Sequence, residues 1–417
     1  MTYDPTNPPV EPAPVNLPEP AGFSGYLRPD GRKGIRNVLL VVYLVECAQH
    51  VAHEIAGPFR ERGVHLVGFG GCYPNAYAFR MLHQLGTHPN VGGVLLVSLG
   101  CEGFNRAELA RRIREAGGLV ETLVIQETGG TRSTIAAGRQ WIAAALPKLA
   151  VTPRVAMHLD ELIVGTVCGG SDTTSGITAN PAVGWAFDQL AARRARVIFE
   201  ETGELIGCEH IMARRAARSA LGPALIACVA KAARHYATLG HGSFAPGNAE
   251  GGLTTQEEKS MGAYSKSGNS PITGILKPGD APPTGGLYLL DVVPDGEVRF
   301  GFANINDNAE IAELIACGCH VILFTTGRGS VVGSAISPVI KICANPETYR
   351  RLRADMDINA GRILEGQATL ADVGREIFEW VGRVAAGEPT ASETLGHQEF
   401  ALTYKTFEPL GPGCLPG

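Results

Sequence analysis

From Asn37 the chain repeats one pattern four times: a short apolar run, then an amphipathic stretch with helical spacing. "NVLLVVYLV" (37–45) precedes "AQHVAHEIAGPFRERG", and "VHLVGFG" (64–70) precedes "NAYAFRMLHQLG". "VGGVLLVSLG" (91–100) precedes "NRAELARRIREAGG", and "LVETLVIQ" (119–126) precedes "TRSTIAAGRQWIAAAL". Apolar strands alternating with helices predict a parallel sheet covered by helices. After a break at "PKLAVTPRVAM" (147–157) a second series begins with "ELIVGTVC", followed by a helix starting near Asn180-Pro181, where proline suits the first turn. "ARVIFEE" (195–201), a helical region to Ala220, a helix over 223–240, the strands "GLYLLDVV" (286–293) and "HVILFTTG" (320–327), and a final helical region (346–386) continue it.

At 417 residues the chain is long enough for two or three domains of about 100–200 residues each. The expected architecture is α/β: two Rossmann-like domains with mostly parallel sheets and a site at strand carboxyl ends between them. The boundaries are a disordered Pro-rich tail (1–22), a first α/β domain (23–150), a second, larger one (151–395) and a C-terminal tail (396–417).

A formal net charge of −5 with no long basic run argues against nucleic acid as a partner. No apolar stretch reaches the roughly 18–20 residues of a membrane span, and the N-terminus lacks a signal pattern. A cytoplasmic protein with no membrane contact is expected, so most of its ten cysteines should be reduced. One such cysteine is ordinarily a small buried apolar residue. Four of them, however, follow strands directly: Cys47 in "LVECAQ", Cys72 in "GFGGCYP", Cys101 in "VSLGCEG" and Cys168 in "TVCGGSD". Right-handed crossovers bring such strand ends to one edge of a sheet, where open α/β sheets bind ligands. The thiols are therefore candidate ligands for iron, an iron–sulfur cluster or zinc, assembled from separate strands because no CxxC pair is present.

Cationic and polar groups flank the same edges. Arg132 opens a helix after two glycines in "ETGGTRST", and Arg328 sits in the glycine turn "FTTGRGS". Either can fork onto a carboxylate, and both favour a small carboxylate substrate over a nucleotide, since no Walker loop or GxGxxG in the required setting occurs. Arg32 and Arg36 precede the first strand, at its amino end, which counts against a direct role. In "GGLTTQEEKSMG" (251–262), Thr254 and Thr255 offer hydroxyls and Lys259 a base or an anion contact; the alternative is a helix capped by one of the threonines with a surface lysine. Ser171 and Asp172 follow Cys168 and can bond a substrate. Glu127 follows the fourth strand, and His210 in "GCEHIM" is a candidate acid/base group, against the commoner structural histidine.

Together these motifs make the chain resemble the altronate/galactarate dehydratase family, which includes the large subunit of sulfolactate sulfo-lyase. The matching stretches are "GYLRPDGRKGIRN", "LGCEGFN", "QETGGTR", "CGGSDTTSGITANPAVG", "PGNAEGGLTTQEEKSMGA", "FTTGRGSVVGS" and "DMDINAG", in order from Gly25 to about Gly361. The resemblance implies a lyase that depends on ferrous iron and removes a group β to a carboxylate after loss of the α proton. The expected reaction dehydrates a small sugar acid to a 2-keto-3-deoxy acid. The alternatives are sulfite release from sulfolactate and a non-catalytic sugar-acid binding subunit. Family members often carry cysteine where this chain has Ser334 and Ala360, so those positions supply no thiolate here. The dehydratases begin with a small extra domain, which is a separate subunit in the sulfo-lyase. A separate small subunit is therefore the expected partner, in a homo-oligomer. The expected roles are metal ligation by Cys47, Cys101, Cys168 and Cys72, and catalysis by Lys259, His210 and Glu127. Substrate would be bound by Arg132, Arg328, Ser171, Asp172, Thr254 and Thr255.

Overall fold

The computed structural model describes residue 15 and residues 22–240, 244–295 and 306–405. The expected tail 1–22 thus lies almost wholly outside the described residues, as do 406–417. Fourteen strands are found among the described residues: β1 Phe23–Leu27, β2 Lys33–Gly34, β3 Val38–Tyr43, β4 Val64–Gly68, β5 Val91–Ser98, β6 Leu119–Val124, β7 Arg154–Met157, β8 Ile163–Cys168, β9 Arg196–Phe199, β10 Ile272–Leu276, β11 Gly286–Leu290, β12 Val321–Thr326, β13 Val339–Cys343 and β14 Ile358–Asn359. They form a four-stranded sheet in the order β4-β3-β5-β6 and a seven-stranded sheet in the order β10-β11-β9-β8-β12-β13-β14. Every pairing in both is parallel. A small antiparallel sheet, β2-β1-β7, joins the residues that precede β3 to the segment 154–157 that reads as a break in the sequence.

Burial explains the parallel sheets. β8, β12 and β13 are buried at every position, as strands covered on both faces must be. Helices Ala179–Ala192 and Leu370–Ala385 share one core with the inner residues Val164, Leu323 and Ile340. Strands β10, β13 and β14 and the antiparallel sheet were not anticipated from sequence. The final region expected as helical is broken: Pro346–Arg351 and Leu370–Ala385 are helices, with β14 between them. The helical region expected to run to Ala220 contains only a 3-10 turn, Thr202–Leu205, and one short α-helix, Glu209–Ala213. Residues 396–405, expected as tail, pack inward, and the Lys405 ammonium is fully buried against Glu313 (2.7 Å).

The two parallel sheets are tied together at their amino ends. Asn90, ahead of β5, donates to Ile336 O (3.3 Å) and Ser337 Oγ (3.2 Å), ahead of β13. Beyond the carboxyl end of β4, Asn75 donates to Lys405 O (2.5 Å) and Tyr73 O accepts from the Tyr404 hydroxyl (2.6 Å). The amino-end junction includes His320, whose Nδ1 accepts from Ile163 N (3.1 Å) and whose Nε2 donates to Lys33 O (3.0 Å). Burial lowers its pKa from 6.5 to about 4, although the bond to Lys33 works against that shift. Between those two pH values the unfolded chain takes up a proton that the fold refuses. Stability therefore falls as pH drops through this window, by on the order of 3 kcal/mol. Urea unfolding at pH 7 and pH 4.5 checks this: in His320→Gln the acid-dependent loss should shrink, even though the variant starts less stable.

Candidate active site

Strand order reverses at β8, with β9 on one side and β12 on the other. Such a reversal opens a crevice at the carboxyl edge. Cys168, the last residue of β8, is buried there. Its Sγ lies 3.2 Å from Ser171 Oγ and 3.3 Å from Glu204 Oε2, and its backbone N–H donates to Glu201 Oε1 (3.0 Å). Glu201 and Glu204 follow β9, the neighbouring strand. Glu201 adopts a left-handed backbone with φ of +80°, an uncommon conformation for a residue with a side chain.

Two buried lysines complete the group. Lys259 pairs with Glu204, and Lys266 pairs with Glu201. Lys259 lies on helix Gln256–Tyr264, which Thr255 caps by accepting from Glu258 N (3.2 Å). Lys266 lies in the turn that follows. That turn docks on helix Ala179–Ala192 at Gly184, where any side chain would run into the Ser265 carbonyl. Asp188, one helical turn on, fixes the next residues by accepting from Asn269 N and Ser270 N (2.8 Å each). Cys168, Ser171, Asp172, Asn180, Glu204 and Lys259 line a cavity of about 390 Å³. Its lining spans residues 168–265, so the site, expected between two domains, draws no residue from the four-stranded sheet or its loops.

The electrostatics assign protons. Burial opposes charge on Lys259, but the Glu204 carboxylate, with Cys168 beside it, outweighs this and holds the ammonium above the ordinary lysine range. Burial, then the Glu204 charge, pushes the Cys168 thiol up. Behind them lie Glu200, Asp307 and Glu310. Burial, then Glu204, pushes the Asp307 carboxyl up to about 6. Burial and neighbouring acids hold Glu200 and Glu310 well above the carboxylate range. Among the described residues, neither carboxyl oxygen of Glu200 has a hydrogen-bond partner.

The sequence-derived candidates divide sharply. The structure brings together Cys168, Ser171, Asp172 and Lys259. Asp172 acts as a loop anchor, accepting from Thr174 N (2.9 Å), Thr174 Oγ1 (2.6 Å) and Asn345 Nδ2 (3.1 Å). Thr254 is exposed and bonds Glu258, and Thr255 is spent on its cap. Arg328, expected to clamp substrate, instead binds Gly247 O (2.5 Å) and Glu250 (3.0 Å) and does not line the cavity. Arg132, Glu127 and His210 are exposed and lie outside the cavity. Glu127 instead faces Arg106 at 3.6 Å. Cys47, Cys72 and Cys101 are exposed at the edge of the four-stranded sheet and do not join Cys168. Glu201, Glu204, Lys266 and the acids behind them were missed. Their one signal was "EETGEL", acids placed directly after an apolar strand.

Cys168, Glu201 and Glu204 place three donor atoms within 4.8 Å of one another, so the fit to a metal ion can be tested. The set fits iron poorly. Each carboxylate already faces an ammonium, and the thiol keeps its proton by donating toward Glu204. A divalent cation would have to enter beside two positive charges.

Residues 25–150 match the family described as D-galactarate dehydratase/Altronate hydrolase, second domain, and residues 159–407 match D-galactarate/Altronate dehydratase, C-terminal. The chain is 34% identical to the (2R)-sulfolactate sulfo-lyase subunit beta of Chromohalobacter salexigens, over 91% of this chain and 97% of that one. It is 30% identical to the altronate dehydratase of Bacillus subtilis, over 91% of this chain and 77% of that one. It is 32% identical to the galactarate dehydratase (L-threo-forming) of Escherichia coli, over 96% and 82%. No helix among the described residues is long and apolar enough to cross a membrane. With both parallel sheets inside matched regions and the paired lysine–glutamate cavity in the C-terminal one, the chain belongs to the D-galactarate/altronate dehydratase family and is an enzyme of the lyase class.

Proposed function

We propose that this enzyme eliminates a β substituent from a small 2-hydroxy acid, dehydrating a sugar acid or 2,3-dihydroxy acid to a 2-keto-3-deoxy acid. The observation that carries the reading is the Glu204–Lys259 pair at the wall of a cavity of about 390 Å³, a volume suited to a small polar ligand. The sequence offered Lys259 as a base. Its raised basicity makes it a standing cation instead, which attracts the substrate carboxylate and stabilises the charge that gathers there as the α proton leaves. Glu204 is then the base. It takes the α proton, the C–H electron pair moves toward the carboxylate, and the Cβ–O bond breaks. Glu204 returns the proton to the departing hydroxide, giving water and an enol that tautomerises to the keto acid. Ser171 and Asn180 offer hydrogen bonds to substrate hydroxyls from the same wall.

Sulfite release from sulfolactate is the second reading. It is favoured by the 34% identity that runs along 97% of a sulfo-lyase subunit, and it uses the same α-proton step with a leaving group that needs no proton. That relative's designation as subunit beta also supports a separate small partner subunit for this chain. The test is a panel of sugar acids and sulfolactate, supplied to the protein co-expressed with a small subunit, with keto acid and sulfite both assayed. Keto acid without sulfite supports the dehydratase, and sulfite supports the second reading. Binding without either product would overturn both.

A further inference from the structure

Arg328 does not line the substrate cavity, yet it is fixed to the loop that does. Gly327 N and Arg328 N both donate to Gly170 O (3.2 and 2.8 Å), the carbonyl just ahead of Ser171. From that footing the guanidinium reaches outward. Its Nη1 donates to Gly247 O (2.5 Å), and its Nη2 lies 3.0 Å from Glu250 Oε2. Both partners belong to one short helix, Pro246–Glu250. Two stretches that read from sequence as parts of the site, "FTTGRGS" and "PGNAEGGLTT", thus grip each other.

That helix and the residues after it form a strap, 245–253, laid across the cavity-lining loop. Asn248 is buried, donates to Ser171 O (3.1 Å) and accepts from Ala245 N (2.9 Å). Thr173 N donates to Gly251 O (3.2 Å). Gly251 lies so close that an added Cβ would come within 2.9 Å of Asp172 Cβ. The strap therefore braces Ser171, Asp172 and Thr173 from outside, and Leu253 at its end lines the cavity with them. Its attachment is mostly polar. Ala245, Pro246, Ala249 and Glu250 are exposed, and of the strap's apolar side chains Leu253 alone is buried. Segments with so few buried apolar contacts open at low free-energy cost. The Arg328–Glu250 pair, with side chains 41% and 69% exposed, holds weakly because water screens it. Gly252, with a left-handed φ of +92°, gives the chain a pivot at the cavity end of the strap.

We propose that Arg328 is a positioning residue whose two-pronged grip latches the strap 245–253 against residues 171–173, and that substrate exchanges with solvent when this latch opens. Closure of this kind holds binding groups in place and keeps water from the reacting atoms. Its part in turnover rests on the lyase reading above, but the latch itself is tested without substrate. Hydrogen exchange of the strap amides is followed by mass spectrometry in the wild type, Arg328→Met, Arg328→Lys and Glu250→Gln. Arg328→Met should speed strap exchange by about tenfold, with helices Ala179–Ala192 and Leu370–Ala385 unchanged. Glu250→Gln alters only the exposed prong and should speed strap exchange by about threefold without touching the rest of the domain. Arg328→Lys should fall between the wild type and Arg328→Met, since an ammonium replaces only one prong. With the substrate that the panel identifies, Arg328→Met should raise KM by about tenfold and leave kcat within about twofold, because Glu204 and Lys259 stay in place. Strap exchange unchanged in Arg328→Met or in Glu250→Gln, faster exchange throughout the domain in Glu250→Gln, or a loss of kcat at unchanged KM would each overturn the proposal. Faster strap exchange in a protein that turns over nothing would leave the latch standing and remove only the functional reading.

Discussion

Glu204→Gln should abolish turnover, lowering kcat by about 10²–10⁴-fold with a small change in KM, because the amide cannot take the α proton. The fold should survive this change better than the buried ion pair suggests. Removing Glu204 leaves the Lys259 ammonium without its partner, ordinarily a severe loss. Here Asp307, with its carboxyl at about 6, already carries charge at neutral pH, and Glu310 is held protonated by burial and partly by the charges of Asp307 and Glu204. With the Glu204 charge gone, Glu310 can ionise and balance Lys259. Steady-state kinetics and thermal unfolding together check the prediction. A variant that keeps more than a tenth of wild-type kcat would remove Glu204 from the role of base.

Lys266→Met should behave in the opposite way, with stability as its main casualty. It strips the partner from Glu201, which is fully buried, donates nothing, and is fixed by its left-handed backbone beside Cys168 N. An uncompensated buried carboxylate costs on the order of 3–5 kcal/mol. The double variant Glu201→Gln with Lys266→Met should recover most of that loss, since it removes both charges at once. Urea unfolding of the two single variants and the double closes the cycle. A coupling near zero would mean that the pair contributes nothing to the fold.

The legible part of the fold was its local periodicity. "NVLLVVYLV", "VGGVLLVSLG" and "ELIVGTVC" announced strands buried on both faces, and all three are strands within those bounds. Short β14 and the two-residue β2 carry too few residues for any period to show. β7 was hidden inside what read as a linker, because half of its residues are exposed and its partner, β1, lies far away in sequence. In the candidate site, Cys168 and Ser171 were readable because they sit at a strand end and in the glycine turn after it, and Lys259 because glycines and threonines flank it in "GGLTTQEEKSMG". Lys266, Glu201 and Glu204 were not. A lysine two residues beyond a helix and acids after a strand look like ordinary solvated charges until something buries them.

By itself, then, the sequence determined which segments become strands and helices, that the long sheets are parallel, and that thiols and acids lie at strand carboxyl ends. It also determined the family, through ordered motifs spread along the chain. The tertiary structure alone decided which of those ends share a site. Whether Cys168 neighbours Cys101 or Glu204 depends on strand order, and strand order follows from long-range pairing that no local pattern encodes. The β8–β9 neighbourhood set Glu201 and Glu204 against Cys168, and the docking of the 265–270 turn on Gly184 and Asp188 delivered Lys266. That same topology left Cys47, Cys72 and Cys101 on the other sheet, where the thiols stay exposed.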